Sequence, residues 1–236
     1  MFFLPSTHLM NPRSLLPLAM ALLMFPQIAQ TLFSPALTDI GRAFGVPAQQ
    51  AAQSLSVFIL GFAPGVVLWG RLSDRWGRRP ALLGGLALYA LALVLELQAR
   101  SFAQLLLCQG LAALGVAAGS VVTQTLLRDL FQGRELIRVF SLMGMVLAAS
   151  PAIGLFAGAA LSRAFGYQGA LTGLLVLALA LFGWCARALP ETRPPAQPLA
   201  PLAGTLWQML RDPAIWRSAL LVAVFNLALL SYYSLG

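Results

Sequence analysis

Asp74 stands alone among Arg71, Arg75, Arg78 and Arg79 in the run Gly70-Arg71-Leu72-Ser73-Asp74-Arg75-Trp76-Gly77-Arg78-Arg79-Pro80. A scatter of arginines would suffice to pin a loop to one side of a membrane. Here the spacing is ordered, with one carboxylate inside a cluster of guanidiniums and Gly70 and Gly77 permitting close backbone approach. Other chemistry is scarce. His8 is the one histidine, so no spaced His/Cys/Glu set exists to hold a metal, and no Gly-x-x-x-x-Gly-Lys loop exists to cradle a phosphate. These absences make an enzyme or an ATP-driven machine the least favoured reading, with no cofactor implied. Cys108 and Cys185 fall inside apolar runs and read as small packed hydrophobes.

The elements that must carry this cluster are apolar. The chain is 59% hydrophobic and 9% charged, against about a quarter charged in soluble domains. A soluble fold could not hide that much apolar surface, so lipid is the solvent. All of its +8 net charge comes from arginine, spread over the joints between apolar runs rather than along one face, which argues against nucleic acid as a partner. A hydrocarbon core about 30 Å thick needs about 20 residues of helix. Spans are predicted at 14–36, 51–69, 80–98, 102–127, 137–161, 168–188 and 214–235, with no strands because each helix must satisfy its own backbone. The first run is too long for a cleavable leader, so it reads as a spanning helix.

Placing the N-terminus in the cytoplasm puts Arg13, Arg71, Arg75, Arg78, Arg79, Arg128, Arg134, Arg138, Arg187, Arg193, Arg211 and Arg217 inside. Only Arg42, Arg100 and Arg163 then lie outside, as arginine-biased orientation requires. Trp76-Gly77-Arg78-Arg79-Pro80-Ala81-Leu82 has a counterpart in Phe165-Gly166-Tyr167-Gln168-Gly169-Ala170-Leu171, three spans later and on the opposite side. That pattern fits an inverted repeat whose inner copy alone keeps its charge. Pro194, Pro195, Pro198 and Pro201 mark an extended linker over 190–205. Leu206, Trp207, Met209 and Leu210 beside Arg211 and Arg217 read as a short interfacial segment before the seventh span.

The pattern Gly-x-x-x-Asp-Arg-x-Gly-Arg-Arg-Pro resembles the loop between the second and third helices of the major facilitator superfamily of transporters. Gly61-Phe62-Ala63-Pro64-Gly65, Leu68-Trp69-Gly70, Leu83-Gly84-Gly85, Ser34-Pro35-Ala36-Leu37 and Leu189-Pro190-Glu191-Thr192 are similar to the Bcr/CflA branch of drug:proton antiporters. The resemblance implies that Gly70, Asp74, Arg75, Gly77, Arg78 and Arg79 form a gating motif that latches the cytoplasmic side against the other half. Asp74 would be its anion, and Arg78 would bridge it to Asp129 at the inner end of the fourth helix. Gly144, Ser150, Pro151, Gly154 and Gly158 resemble the antiporter motif of the fifth helix, with Ser150 in place of a glycine; packing and gating explain these small residues equally well, and Pro151 predicts a bend.

Branch members carry an Arg three residues before Gln109 and an acid four residues before Pro-Ala-Leu. Here these positions are Leu106 and Thr31, so the usual coupling groups are absent. Asp39 and Glu96 fall near external helix ends, which predicts solvated anchoring. Gln27, Gln30, Thr31, Gln109, Gln124 and Asn226 are the neutral polar candidates for lining a cavity, although Gln109 also suits an interhelical hydrogen bond. With Phe25, Phe33 and Phe58 they suit a small amphipathic substrate.

The expected architecture is an all-α membrane protein. Residues 1–189 make a six-helix N-terminal half of 3+3 inverted repeats, 190–205 a linker, and 206–236 an interfacial segment and the first helix of an incomplete second half. The expected function is proton-coupled efflux of drugs or other xenobiotics across a bacterial inner membrane, in a chain inactive without its C-terminal half. A metabolite carrier of the same superfamily and a non-transporting interaction or regulatory fragment are the alternatives.

Overall fold

The computed structural model describes residues 12–192, 204, 211–221 and 223–224. Every element among them is helical. The first compact unit ends at Pro194. In it a short 3-10 turn leads into α1 (Leu16–Phe33), followed by α2 (Leu37–Phe44), α3 (Ala48–Ala51), α4 (Gln53–Trp76), α5 (Arg78–Leu97), α6 (Phe102–Leu130) and α7 (Gly133–Ala188). Helix is the form these apolar runs must take where no water can satisfy the backbone.

At 56 residues, α7 is far longer than the roughly 20 residues needed to cross a bilayer. It breaks at Gly166, whose φ of 66° and ψ of −168° are not helical. The two pieces, 133–165 and 167–188, are the fifth and sixth predicted spans. Gly77 adopts a related conformation, φ 109° and ψ 166°, between α4 and α5. The two loops aligned by sequence therefore share a positive-φ glycine as the joint between consecutive spans, which L-residues with a Cβ avoid.

One expectation changes. The Gly70–Pro80 segment is not a loop: α4 continues through Trp76 and α5 starts at Arg78, leaving Gly77 alone between them. Arginines do not oppose helix, so the polypeptide stays helical past the end of its apolar stretch. Pro151 lies inside α7 with helical dihedrals, and the non-helical joint of that helix lies at Gly166.

The core joins α4, α5 and α6 with α1 and α7. Small residues set the spacing. A Cβ on Gly115 would come within 2.7 Å of the Tyr89 nitrogen and 2.8 Å of the Gly85 carbonyl, so α5 and α6 meet backbone to backbone. Trp69 Nε1 donates to the Leu114 carbonyl at 2.7 Å and fastens α4 to α6. Phe25 of α1 meets Tyr89 edge-on, ring centroids 4.9 Å apart. The connection between α5 and α6 is capped locally: the Gln104 N–H donates to Ser101 Oγ at 3.3 Å, and Gln104 Oε1 accepts from the Arg100 N–H at 2.9 Å.

In the second unit, Pro195–Gly236, residues 213–221 and 223–224 are helical, within the seventh predicted span. Asp212 Oδ1 accepts from the Ala214 N–H at 2.9 Å, capping a helix that begins on a proline. The Pro-rich linker from 193 onward, Leu206 to Leu210, and Asn226 lie outside the described residues.

Candidate functional site

The charged cluster gathers at the end of the bundle where α4 and α6 finish, α5 starts and α7 finishes. Because only Gly77 separates α4 from α5, Asp74 and Arg78 lie one helical turn apart in sequence but on different helices. Arg78 Nη1 lies 2.7 Å from Asp74 Oδ1, and Arg78 Nε lies 2.9 Å from Asp129 Oδ2. The guanidinium side chain is 6% exposed, Asp129 19% and Asp74 50%. Arg78 is thus a buried cation clamped by two carboxylates, one inward and one half in water. Arg78 Nη1 also donates to Ser73 Oγ at 3.5 Å, and that hydroxyl in turn donates to the Gly70 carbonyl at 2.7 Å.

A third acid completes the cluster, and its role was not legible in the sequence. Glu191, just beyond α7, accepts from the Arg78 N–H at 2.8 Å and the Arg79 N–H at 3.2 Å. Its carboxylate therefore caps the N-terminus of α5, where two unpaired donors and the positive end of the helix dipole favour an anion. A Cβ on Gly77 would fall onto that carboxylate, so glycine is required by space as well as by φ. Arg79 Nη2 donates to the Ala186 carbonyl at 2.6 Å, tying the same corner to the end of α7. The local signal was only Pro-Glu after an apolar run; the partner lies 113 residues away. Arg13 and Glu135, 2.8 Å apart at the exposed starts of α1 and α7, form a second long-range pair that the sequence did not reveal. Arg75 is exposed and Gly70 half-buried beside Val121.

The fifth-span motif divides. Gly154 and Gly158 are buried against α1: a Cβ on Gly154 would strike Thr31 Oγ1, and one on Gly158 the Leu32 carbonyl. Gly144 is exposed and faces open space. Ser150 Oγ donates back to the Val146 carbonyl at 2.7 Å, one turn before half-buried Pro151.

The cavity candidates differ in burial and in partners. Gln27 is exposed, and Gln30, Thr31 and Gln124 are half-buried. The Thr31 hydroxyl donates to the Gln27 carbonyl at 2.8 Å within its own helix, and Gln124 Nε2 lies 3.5 Å from Ser120 Oγ. Gln109 is buried against Glu96 of α5 and takes the interhelical alternative. Glu96 itself overturns the expectation of solvated anchoring, since it is completely buried. Its place in the last turn of α5 fixes its height but not its face, and the face it occupies is turned to α6. No group of three or more His, Cys, Asp or Glu suited to a metal occurs among the described residues.

The sequence matches the family description Major Facilitator Superfamily over residues 19–236. The chain belongs to the major facilitator superfamily. Among its relatives, Multidrug resistance protein D of Escherichia coli (strain K12) is 30% identical over 181 residues, covering 77% of this chain and 46% of that protein. A Chloramphenicol resistance protein of Pseudomonas aeruginosa is 33% identical over 192 residues, covering 79% and 43% respectively. The chain spans about half the length of these relatives. Among solved structures, the human organic anion transporter MFSD10 superposes with a TM-score of 0.57 at 24% identity, over 78% of this chain and 49% of that one. A peptide transporter of the POT family gives 0.61 at 14% identity, over 93% and 47%. At these identities the structures speak for the fold, which is that of superfamily transporters.

Proposed function

We propose that this chain supplies the N-terminal helical half of a secondary transporter that exports small amphipathic compounds in exchange for protons by alternating access. The charged corner carries the reading. A buried arginine held by Asp74 and Asp129, with Glu191 closing the start of α5, joins four helix ends at one side of the bundle. Such a cluster either holds or, when its pairs break, releases that side. The arginine bias supports a cytoplasmic position for this side and for the N-terminus. The relatives' names support drugs as the cargo class, and neutral polar groups beside aromatics suit such cargo better than compact anions. The activity belongs to this half working with a second one of the kind its longer relatives carry.

Asp74 is the residue to test. Its carboxylate is half exposed and one of two partners, so Asp74→Asn leaves the fold standing while removing the exposed anion of the latch. Drug susceptibility of cells expressing the full-length gene product, with and without a protonophore, provides the assay. Protonophore-sensitive resistance lost in Asp74→Asn at normal membrane abundance is the expected result. Unimpaired resistance in the variant refutes the gate, and resistance indifferent to the protonophore refutes proton coupling.

A further inference from the structure

Glu96 is 0% exposed and Gln109 4%, and they face each other between α5 and α6. One terminal atom of the Gln109 amide lies 2.8 Å from Glu96 Oε1 and 3.2 Å from Oε2. No arginine pairs with Glu96 among the described residues, although Arg100 is only four positions on and exposed. The other titratable side chains within electrostatic reach of it are Tyr89, on the same face of α5, and Cys108, next to Gln109 on α6. Neither carries positive charge. The helices α1, α4 and α7 contribute no ion pair to it.

An acid in a membrane helix without a cation is expensive to keep and is retained for function. Its partner here has an unusual property. A glutamine amide has a donating nitrogen and an accepting oxygen related by a half-turn about its last torsion. With the nitrogen toward Glu96 it donates to a carboxylate; with the oxygen toward Glu96 it accepts from a carboxylic acid O–H. Either orientation places an amide atom at the same 2.8 Å. A cation would serve only the ionised form, and an apolar neighbour neither form. Glu96 lies one residue before the end of α5 at Leu97, and Gln98 just beyond it is exposed.

We propose that Glu96 and Gln109 form a proton-binding site: Glu96 takes one proton from water at the adjoining helix end and gives it up to water on the opposite side when access alternates, while the Gln109 amide turns to match each state. The carboxylate gains the proton on one oxygen and the release step gives it up, with no other reactant. Glu96 is the proton carrier and Gln109 a positioning residue. The use of this proton to drive export rests on the transport function proposed above.

The direct test is infrared difference spectroscopy of the purified 236-residue chain in detergent, between acidic and alkaline buffer. A carboxylic-acid carbonyl band that disappears on raising pH, and is absent in Glu96→Gln, is expected. Gln109→Leu keeps the acid and removes the amide, so the band shifts in frequency and midpoint. No Glu96-dependent band, or one unmoved by Gln109→Leu, overturns the site. The coupling is read separately in inverted vesicles holding the full-length product. Glu96→Gln should lose proton-driven drug uptake and keep energy-independent drug exchange. Uptake unchanged in the variant overturns coupling, and so does loss of both movements, which assigns Glu96 a structural role. No proton-driven uptake in the wild type refutes the transport reading alone and leaves the infrared band to decide the site.

Discussion

Asp129→Asn separates the two carboxylates that hold Arg78. The variant keeps shape and hydrogen-bonding capacity but removes the charge from the more buried partner, 19% exposed against 50% for Asp74. Arg78 cannot follow by moving into water, since its side chain is itself 6% exposed. Losing a charge-assisted hydrogen bond at such a place costs about 2–3 kcal/mol, near the top of the range for bonds to charged groups. Complete loss of both partners would approach the larger penalty of an uncompensated buried cation, but Asp74 remains. Asp74→Asn, by contrast, sits where water replaces the lost interaction and costs about 0.5–1 kcal/mol. For a unit of this size 1 kcal/mol corresponds to roughly 2–4 °C in Tm, so Asp129→Asn lowers it by roughly 5–10 °C and Asp74→Asn by no more than about 4 °C. Thermal unfolding of detergent-purified protein, followed by tryptophan fluorescence, reads both. The decisive measurement is the double variant Arg78→Gln/Asp129→Asn, which should cost about 2 kcal/mol less than the sum of its parts because the pair is already broken. Additive losses, or equal losses for the two acids, refute the clamp.

Further outcomes follow from the same geometry. Glu191→Ala uncovers two donors at the start of α5 and should lower stability by about 1 kcal/mol in the same unfolding assay; no loss would show that water caps this end equally well. Gly158→Ala drives a methyl into the α1 backbone and should cost about 1–3 kcal/mol, whereas Gly144→Ala meets open space and should be neutral or stabilising by up to about 1 kcal/mol. The reverse order would contradict the close α1–α7 contact. Trp69→Phe removes the donor to the buried Leu114 carbonyl while keeping most of the ring, for about 1 kcal/mol in thermal unfolding. In intact cells, with Cys108 and Cys185 replaced by alanine, a cysteine at exposed Gln98 should react with a membrane-impermeant thiol reagent and one at exposed Trp76 should not. Labelling of Trp76→Cys alone would invert the topology.

The spans were legible because hydrocarbon imposes a length that apolar runs must meet, and the first six appear near their expected places. The Gly77 and Gly166 joints were foreshadowed by a seven-residue likeness, since only glycine suits a positive φ at so tight a connection. The continuation of α4 through Arg71 and Arg75 was hidden, because hydropathy reports where lipid ends and not where helix does. Arg78, Asp74 and Asp129 could be brought together on paper only through a family resemblance. Glu191 could not, since nothing local encodes a contact spanning more than a hundred residues. The burial of Glu96 was hidden for a different reason: its position along α5 follows from residue order, but burial depends on which face meets α6.

The joints at Gly77 and Gly166 constrain how this bundle can rearrange. With a single residue between them, α4 cannot slide along α5, nor can the two pieces of α7 slip past each other, without opening a turn that has no slack. Each hairpin must travel as one lever. Any rearrangement inside this bundle is therefore left to the contacts between hairpins, where α1 lies on Gly154 and Gly158 and α6 on Gly65 and Gly85.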